Sequence, residues 1–350
     1  MKSVDAIVLR AITTQQKRLR ISNKELYYLP NNIEFLNWLV ILDIRSNKLS
    51  SLPILPKNLQ LLNLGHNWFK TIPDSVFALT SLKSICMYSN QLQSIPSTLF
   101  ERLINLEYIN FNHNCINTLS DSISNLVHLK YLSISHNKLT TLPESMCSTL
   151  NKLEYLNLGY NHILILPFDF GLLQNMKTLI LHKNFITRLP ETFGQLKALK
   201  VLDIAGNNLQ LLPFNFTQLK LKEFYAEANP FTRNDLFTST YKENVLTLKE
   251  IVLRKLCFLG LIHIGVSNHW LESVIGSKQW QSAGFCALCK NPFVTWWLEA
   301  VRFVNRKELI ICKKSQLNKK PSEVLYPLRT LFCSYHCINS SENCYELGVG

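Results

Sequence analysis

The chain has 350 residues, 47% of them apolar, and carries 37 Lys and Arg against 24 Asp and Glu for a formal charge of +13. This composition supports one large core or an elongated array with an appended domain. No stretch of about 18 apolar residues occurs, so no membrane-spanning helix is expected. The basic, weakly amphipathic first 20 residues lack the apolar stretch of a secretory signal and leave a mitochondrial leader as the alternative.

Residues 1–24 hold six basic side chains against one acid, 25–231 hold 16 against 14, and 232–350 hold 15 against 9. The positive charge thus sits at the two ends, where nucleic acid or an acidic partner could use it, with ordinary solvated surface as the plainer reading. From about residue 16 to 231 one phrase recurs, clearest in Leu153-Glu-Tyr-Leu156-Asn-Leu158-Gly-Tyr-Asn161-His-Ile163. Its asparagine returns at Asn47, Asn67, Asn90, Asn114, Asn137, Asn161, Asn184, Asn207 and Asn229, at intervals of 20 to 24 residues. The pattern L-x-x-L-x-L-x-x-N-x-I is the leucine-rich repeat signature. Leu19, Ile21, Leu26, Leu29 and Pro30 fit the frame with Lys24 in place of asparagine, an atypical first repeat that brings the count to ten.

This reading predicts an α/β leucine-rich-repeat solenoid. Each L-x-L forms a short strand of a parallel concave sheet, with its leucines inward and its other side chains outward. Each asparagine bonds the backbone where the chain leaves the strand. A Leu-Pro or Ile-Pro follows in every repeat except at Leu119-Ser120 and starts a short convex helix, with Asp74 and Glu144 suited to its first turn. Ten strands about 4.8 Å apart make a face roughly 45 Å long, enough to engage a folded protein.

On that face the outward positions gather Tyr88, Tyr108, Asn110, Asn112, His113, Tyr131, Ser133, His136, Tyr155, Asn157, Tyr160 and His182. A surface rich in tyrosine, asparagine and histidine and poor in charge suits a protein partner better than phosphate. The alternative is that the tyrosines only brace neighbouring strands. No catalytic grouping can be assembled from these positions, so a non-enzymatic adaptor is expected.

Beyond the array, over 244–266, apolar residues at 245, 248, 251, 252 and 256 mark one face of a helix, either closing the core or entering another protein's groove. In 280–345, Cys286-Ala-Leu-Cys289 and Cys333-Ser-Tyr-His-Cys337 have the doublet spacing of a closed four-thiolate site. A single structural zinc in a small zinc-ribbon-like domain is expected there, with buried or free cysteines as the alternative. Stretches 293–304 and 308–312 would supply its strands, and Trp296, Trp297, Phe303, Tyr326 and Phe332 its core. Clustered rather than scattered cysteines suit a reducing, cytoplasmic or nuclear setting.

The order of parts resembles the intracellular leucine-rich-repeat substrate receptors of cullin-RING ubiquitin ligases. The resemblance implies that Thr247-Leu248, Val252 and Leu256 stand in the elongin-binding box, with Leu248 in the main pocket of elongin C and Val252 where the box has cysteine. Partners would be a folded substrate on the concave face, elongins B and C, and a cullin, although residues 231–291 contain no proline for the cullin box. The alternative is a signalling scaffold that binds a GTPase or phosphatase, with nucleic-acid binding through the basic ends as a third option.

Overall fold

A computed structural model describes residues 4–231 together with 284–285, 292–293, 298–305, 309 and 325–332. Helix α1 (Val4–Thr13) comes first and buries Val8 and Ala11, and it packs beside the helical turn Asn31–Phe35 of the first repeat. The amphipathic character of the first residues therefore serves to cover the start of the array.

Ten three-residue strands follow: β1 (Arg18–Arg20), β2 (Ile41–Asp43), β3 (Leu61–Asn63), β4 (Ser84–Cys86), β5 (Tyr108–Asn110), β6 (Tyr131–Ser133), β7 (Tyr155–Asn157), β8 (Thr178–Ile180), β9 (Val201–Asp203) and β10 (Glu223–Tyr225). They form one sheet in chain order. Every pairing described is parallel, with equivalent repeat positions in register, so Tyr108 pairs with Tyr131 and Tyr131 with Tyr155. The middle residue of each strand points inward; Ile109, Leu132 and Leu156 are fully buried. The first repeat joins the sheet despite Lys24, because Asn47 supplies the missing carboxamide and accepts from the Lys24 and Leu26 amides at 3.0 and 3.2 Å.

The asparagines work as a ladder. Asn137 Oδ1 accepts from the Ile116 amide of the repeat before, while its Nδ2 donates to Ile134 O and, across the repeat, to Phe111 O. The same set recurs at Asn114 and Asn161. Each side chain is nearly buried and fully bonded, so none carries the cost of an unpaired amide.

The convex helices differ from expectation. Most are five-residue 3-10 turns, such as Asp74–Ala78, Asp121–Asn125, Phe168–Leu172 and Glu191–Gln195. Only α2 (Ser97–Arg102) and α3 (Ser145–Thr149) are α-helical. Repeat length explains the division. Both α-helices lie in the 24-residue intervals, 90–114 and 137–161; the 23-residue intervals hold 3-10 turns and the 20-residue interval 47–67 holds no helix. A 3-10 turn rises about 2.0 Å per residue against about 1.5 Å for an α-helix, so it crosses the same span with fewer residues. Proline stands before these turns with φ near −65°, as at Pro30, Pro73 and Pro190. Where Ser120 replaces it, the serine hydroxyl caps the turn by accepting from the Ser122 amide.

The chain forms two compact units, Met1–Leu164 with Asn175–Phe185, and Ile165–Gln174 with Ile186–Gly350. The second unit has a phenylalanine spine, Phe170, Phe193 and Phe216, with ring centroids 6.1 Å apart. Successive turns approach closely here, since a Cβ on Gly171 would meet the Thr192 carbonyl at 2.0 Å.

The described part of the C-terminal region contains the short pair β11 (Gly284–Phe285) and β12 (Pro292–Phe293) and the antiparallel hairpin β13 (Leu298–Asn305) and β14 (Leu325–Phe332). Strand β14 joins the last repeat: Leu212 donates to Pro327 O at 3.0 Å and Arg329 donates to Leu212 O at 2.9 Å. The Arg329 guanidinium meets Glu191 at 2.9 Å. Tyr326, expected in the core of a cysteine-paired module, sets its ring against Phe224 and Phe231, with centroids 5.3 and 5.6 Å apart, and so continues the apolar packing of the last repeat. Leu309 is buried and helical, not part of a strand. Trp296 and Trp297, the predicted helix over 244–266 and all four predicted zinc ligands lie outside the described residues, and the side chains of Phe303 and Phe332 are likewise outside the description.

Replacing Asn137 with Ala leaves the Ile116 amide without its acceptor and removes one of the two carboxamide donors to each of Phe111 O and Ile134 O, and should destabilise the array by about 2 kcal/mol. Asn175→Ala, which removes an exposed bond to Asn151 O, should cost under about 1 kcal/mol. Urea unfolding of the two variants checks this; equal effects would show that the ladder carries no special weight.

Candidate functional site

The open face of the sheet within the first unit carries two rows of rings, held by different means. The first row stands on the strands. Parallel register places Tyr108, Tyr131 and Tyr155 side by side, with centroids 4.1 and 4.2 Å apart and planes within 9° and 4° of parallel. All three are half-buried.

The second row stands on the turns. His113, His136 and Tyr160 each immediately precede a ladder asparagine and each have φ of 53° to 54°. This left-handed conformation is costly for a side chain with a Cβ and is held only where the surroundings fix it. Here bonds between repeats fix it: the His113 amide donates to Ser135 O, that of His136 to Gly159 O, and that of Tyr160 to His182 O, all at 2.9 Å. The His113 and His136 rings stack at 4.0 Å, His136 and Tyr160 at 4.2 Å, and His182 meets Tyr160 edge-on at 5.1 Å. At the other end Tyr88 meets His66 edge-on at 5.1 Å.

Between the rows the surface is polar and small. Asn112 Oδ1 accepts from the Ser133 hydroxyl and the Ser135 amide, both at 2.8 Å, which fixes its carboxamide with the NH2 as the uncommitted end. Asn110 and Asn157 each turn Oδ1 to the amide two residues on. Ser133, expected to face a partner, is fully buried, its hydroxyl committed to Asn112 Oδ1. The other eleven predicted face residues are half-buried or exposed. Two glycines shape the ends: a Cβ on Gly65 would strike the Tyr88 ring and one on Gly159 the His182 ring at 2.9 Å.

Charge is nearly absent from the rows. On the rim beside the tyrosines Lys130 and Lys83 pair with Glu107 at 2.7 and 4.0 Å, and Lys177 pairs with Glu154 at 2.7 Å. Burial raises the Tyr108 and Tyr131 phenols and, with Tyr131 beside it, pushes Tyr155 up to about 12. Burial pushes the Cys86 thiol up to about 11, so it is not the thiolate a nucleophile requires. Burial, then the neighbouring His113 and His182, hold the His136 imidazole below its usual value. Among the described residues no group of three His, Cys, Asp or Glu is placed to hold a metal. The spacing count found both rows, but it treated the turn positions as ordinary strand surface. The signal it passed over was a large ring recurring immediately before asparagine, where the chain must turn left-handed.

Because the fold depresses the His136 value, its neutral form is favoured, and the arrangement is fully stable above the unfolded value near 6.5 and weakens as pH falls below it. An NMR titration should place His136 below 6.5, and His113→Ala should move it upward. A titration at or above the ordinary value in the unaltered chain would contradict the stacked geometry.

Comparison with known proteins agrees with this geometry. Residues 81–136, 120–163 and 170–231 match the family model described as leucine rich repeat. Leucine-rich repeat-containing protein 69 is 33% identical over 130 residues in Xenopus laevis and 35% over 129 in Homo sapiens, covering 36% and 35% of this chain. The chain spans only 34% of the length of either relative. Among solved structures, the ectodomain of the plant receptor kinase GASSHO1/SCHENGEN3 from Arabidopsis thaliana is similar at TM-score 0.57 and 28% identity, over 64% of this chain and 29% of that one. A TDR receptor is similar at TM-score 0.55 and 25% identity, over 64% of this chain and 45% of that one. Over residues 81–163 and 170–231 the repeating body therefore matches the leucine-rich-repeat model, and the parallel strands β4–β10 fall within that stretch.

Proposed function

We propose that the chain is a non-catalytic interaction scaffold whose open sheet face between Tyr88 and His182 docks a folded protein. The observation that carries this is the pair of stacked ring rows. Rigid aromatic rings held in advance lose little entropy on binding, and such residues dominate the energetics of protein interfaces. Half of the rings stand on the left-handed turn position that every repeat has, which Ser46, Ser89 and Ala228 fill with small residues and His113, His136 and Tyr160 fill with rings. Paired rim charges and neutral rows favour protein over nucleic acid, whose binding would call for unpaired Lys and Arg. The similar Arabidopsis ectodomain is described in complex with Casparian strip integrity factor 2, so an array of this kind can serve as a binding body.

The finer role we propose is that of a substrate receptor in a cullin-RING ubiquitin ligase, intracellular in setting. Its support is the sequence resemblance: Leu248, Val252 and Leu256 at the spacing of an elongin box, and Cys286, Cys289, Cys333 and Cys337 at the spacing of one structural zinc. The alternative is a signalling scaffold that uses the same face for a GTPase or phosphatase.

Affinity purification of the full chain with mass spectrometry tests both levels. A partner lost from Tyr131→Ala and His136→Ala, with affinity down about tenfold or more for each, would support docking on this face. A partner retained by both variants would overturn it. Elongins B and C recovered with the unaltered chain but not with a Leu248→Ala, Leu256→Ala double variant would establish the ligase role, and their absence from both would remove it.

A further inference from the structure

The two ring rows and the two crosswise rings enclose a trough. One wall is Tyr108, Tyr131 and Tyr155, and the other is His113, His136 and Tyr160. Tyr88, lying over Gly65, and His182, lying over Gly159, bound its ends. Its floor consists of Asn110, Asn112, Ser135 and Asn157, with Ser133 beneath. The walls are five residues apart along the chain, at most about 17 Å. The ends are four strands apart, about 19 Å, the length of five or six extended residues at about 3.3 Å each.

The chemistry of the floor is one-sided. The hydroxyl of Ser133 and the amide of Ser135 are both spent on the Asn112 oxygen, and the oxygens of Asn110 and Asn157 are spent on the chain's own amides. The carboxamides of Asn110 and Asn157 donate to the Tyr108 and Tyr155 phenols, so the donor the floor presents is chiefly the Asn112 NH2, which carries no charge. No Lys, Arg, Asp or Glu stands between the two ring rows; the rim charges are paired with each other, and Arg45, at the Tyr88 end, is held by that phenol and by Asp43 at 3.6 Å. Such a site can satisfy carbonyl oxygens, and it has no fixed charge to repay the desolvation of an ionic side chain.

We infer that the trough binds an extended, uncharged segment of five or six residues from the protein partner, lying across the strands, with a main-chain carbonyl on the Asn112 carboxamide and side chains between the ring rows. The inference rests on the reading of the open face as a docking surface and adds which part of it binds and the chemistry of what it takes.

A phage-displayed library of random linear peptides, selected on the immobilised full chain, tests it. Asn112→Asp is the decisive variant, because it keeps the acceptor for Ser133 and Ser135 and exchanges the donor for a carboxylate. Glu223→Gln, on the same sheet but beyond the trough, is the control. The inference expects an uncharged core of five or six residues among the selected peptides, with affinity reduced about tenfold or more by Asn112→Asp and unchanged by Glu223→Gln. An acidic or basic core, a core matching this chain's own sequence and so pointing to a second copy, or indifference to Asn112→Asp would each overturn it. A protein partner lost from Tyr131→Ala yet indifferent to Asn112→Asp would sink the carboxamide-floored trough and leave the open face standing. One indifferent to both would sink the two together.

Discussion

A buried carboxamide that must find a partner for each of its polar atoms holds every turn of this chain to the next. Asn137 shows how. Its oxygen reaches back to Ile116 in the preceding repeat, and its NH2 closes Ile134 in its own repeat and Phe111 in the one before. A leucine at that position would bury more apolar surface but would leave the Ile116 amide without a partner, at about 1–3 kcal/mol, and strip one of two donors from each carbonyl. The ladder therefore fixes the repeat spacing, and that spacing sets the rest. Parallel register follows, and the residues left over decide whether the convex side is an α-helix, a 3-10 turn or neither.

The same constraint produces the candidate site. Beside the ladder asparagines from Asn47 to Asn161 the preceding residue is held left-handed by its amide's bond to the following repeat, as it is also at Asn23 before Lys24, and its side chain projects from the turn. Glycine meets that demand without strain, as at Gly206, but the middle repeats spend the position on His113, His136 and Tyr160. These rings are placed by the turn bonds between repeats together with the ladder beside them, whereas Tyr108, Tyr131 and Tyr155 are placed by strand pairing. Two devices thus support two walls of one trough, and the serine and asparagine floor between them is bonded from below.

The period of the repeats was open to reading from the sequence because asparagine, proline and inward leucine each have one physical job and recur at fixed distance. The tyrosine wall was equally legible, since residues six before each asparagine must share a face. The turn conformation was harder to see: nothing in His113 or His136 alone announces a positive φ, which arises from bonds to the following repeat. Ser133 went under the surface for a similar reason, as its hydroxyl had a partner in Asn112 that alternation alone does not reveal. Tyr326 sits against Phe224 and Phe231, some hundred positions away in sequence, and composition gave no hint of that contact. Long-range closure of an open apolar end is a tertiary effect without a local signature.

The central claim is that the ladder with its turn bonds, not strand pairing, holds the histidine wall. Ring-current shifts in NMR spectra test it most directly, because stacked rings displace each other's proton signals. In Asn137→Ala the His136 signals should move toward their unstacked positions while those of Tyr131, between Tyr108 and Tyr155, stay displaced. Histidine signals unchanged in that variant, or tyrosine and histidine signals lost together, would contradict the account.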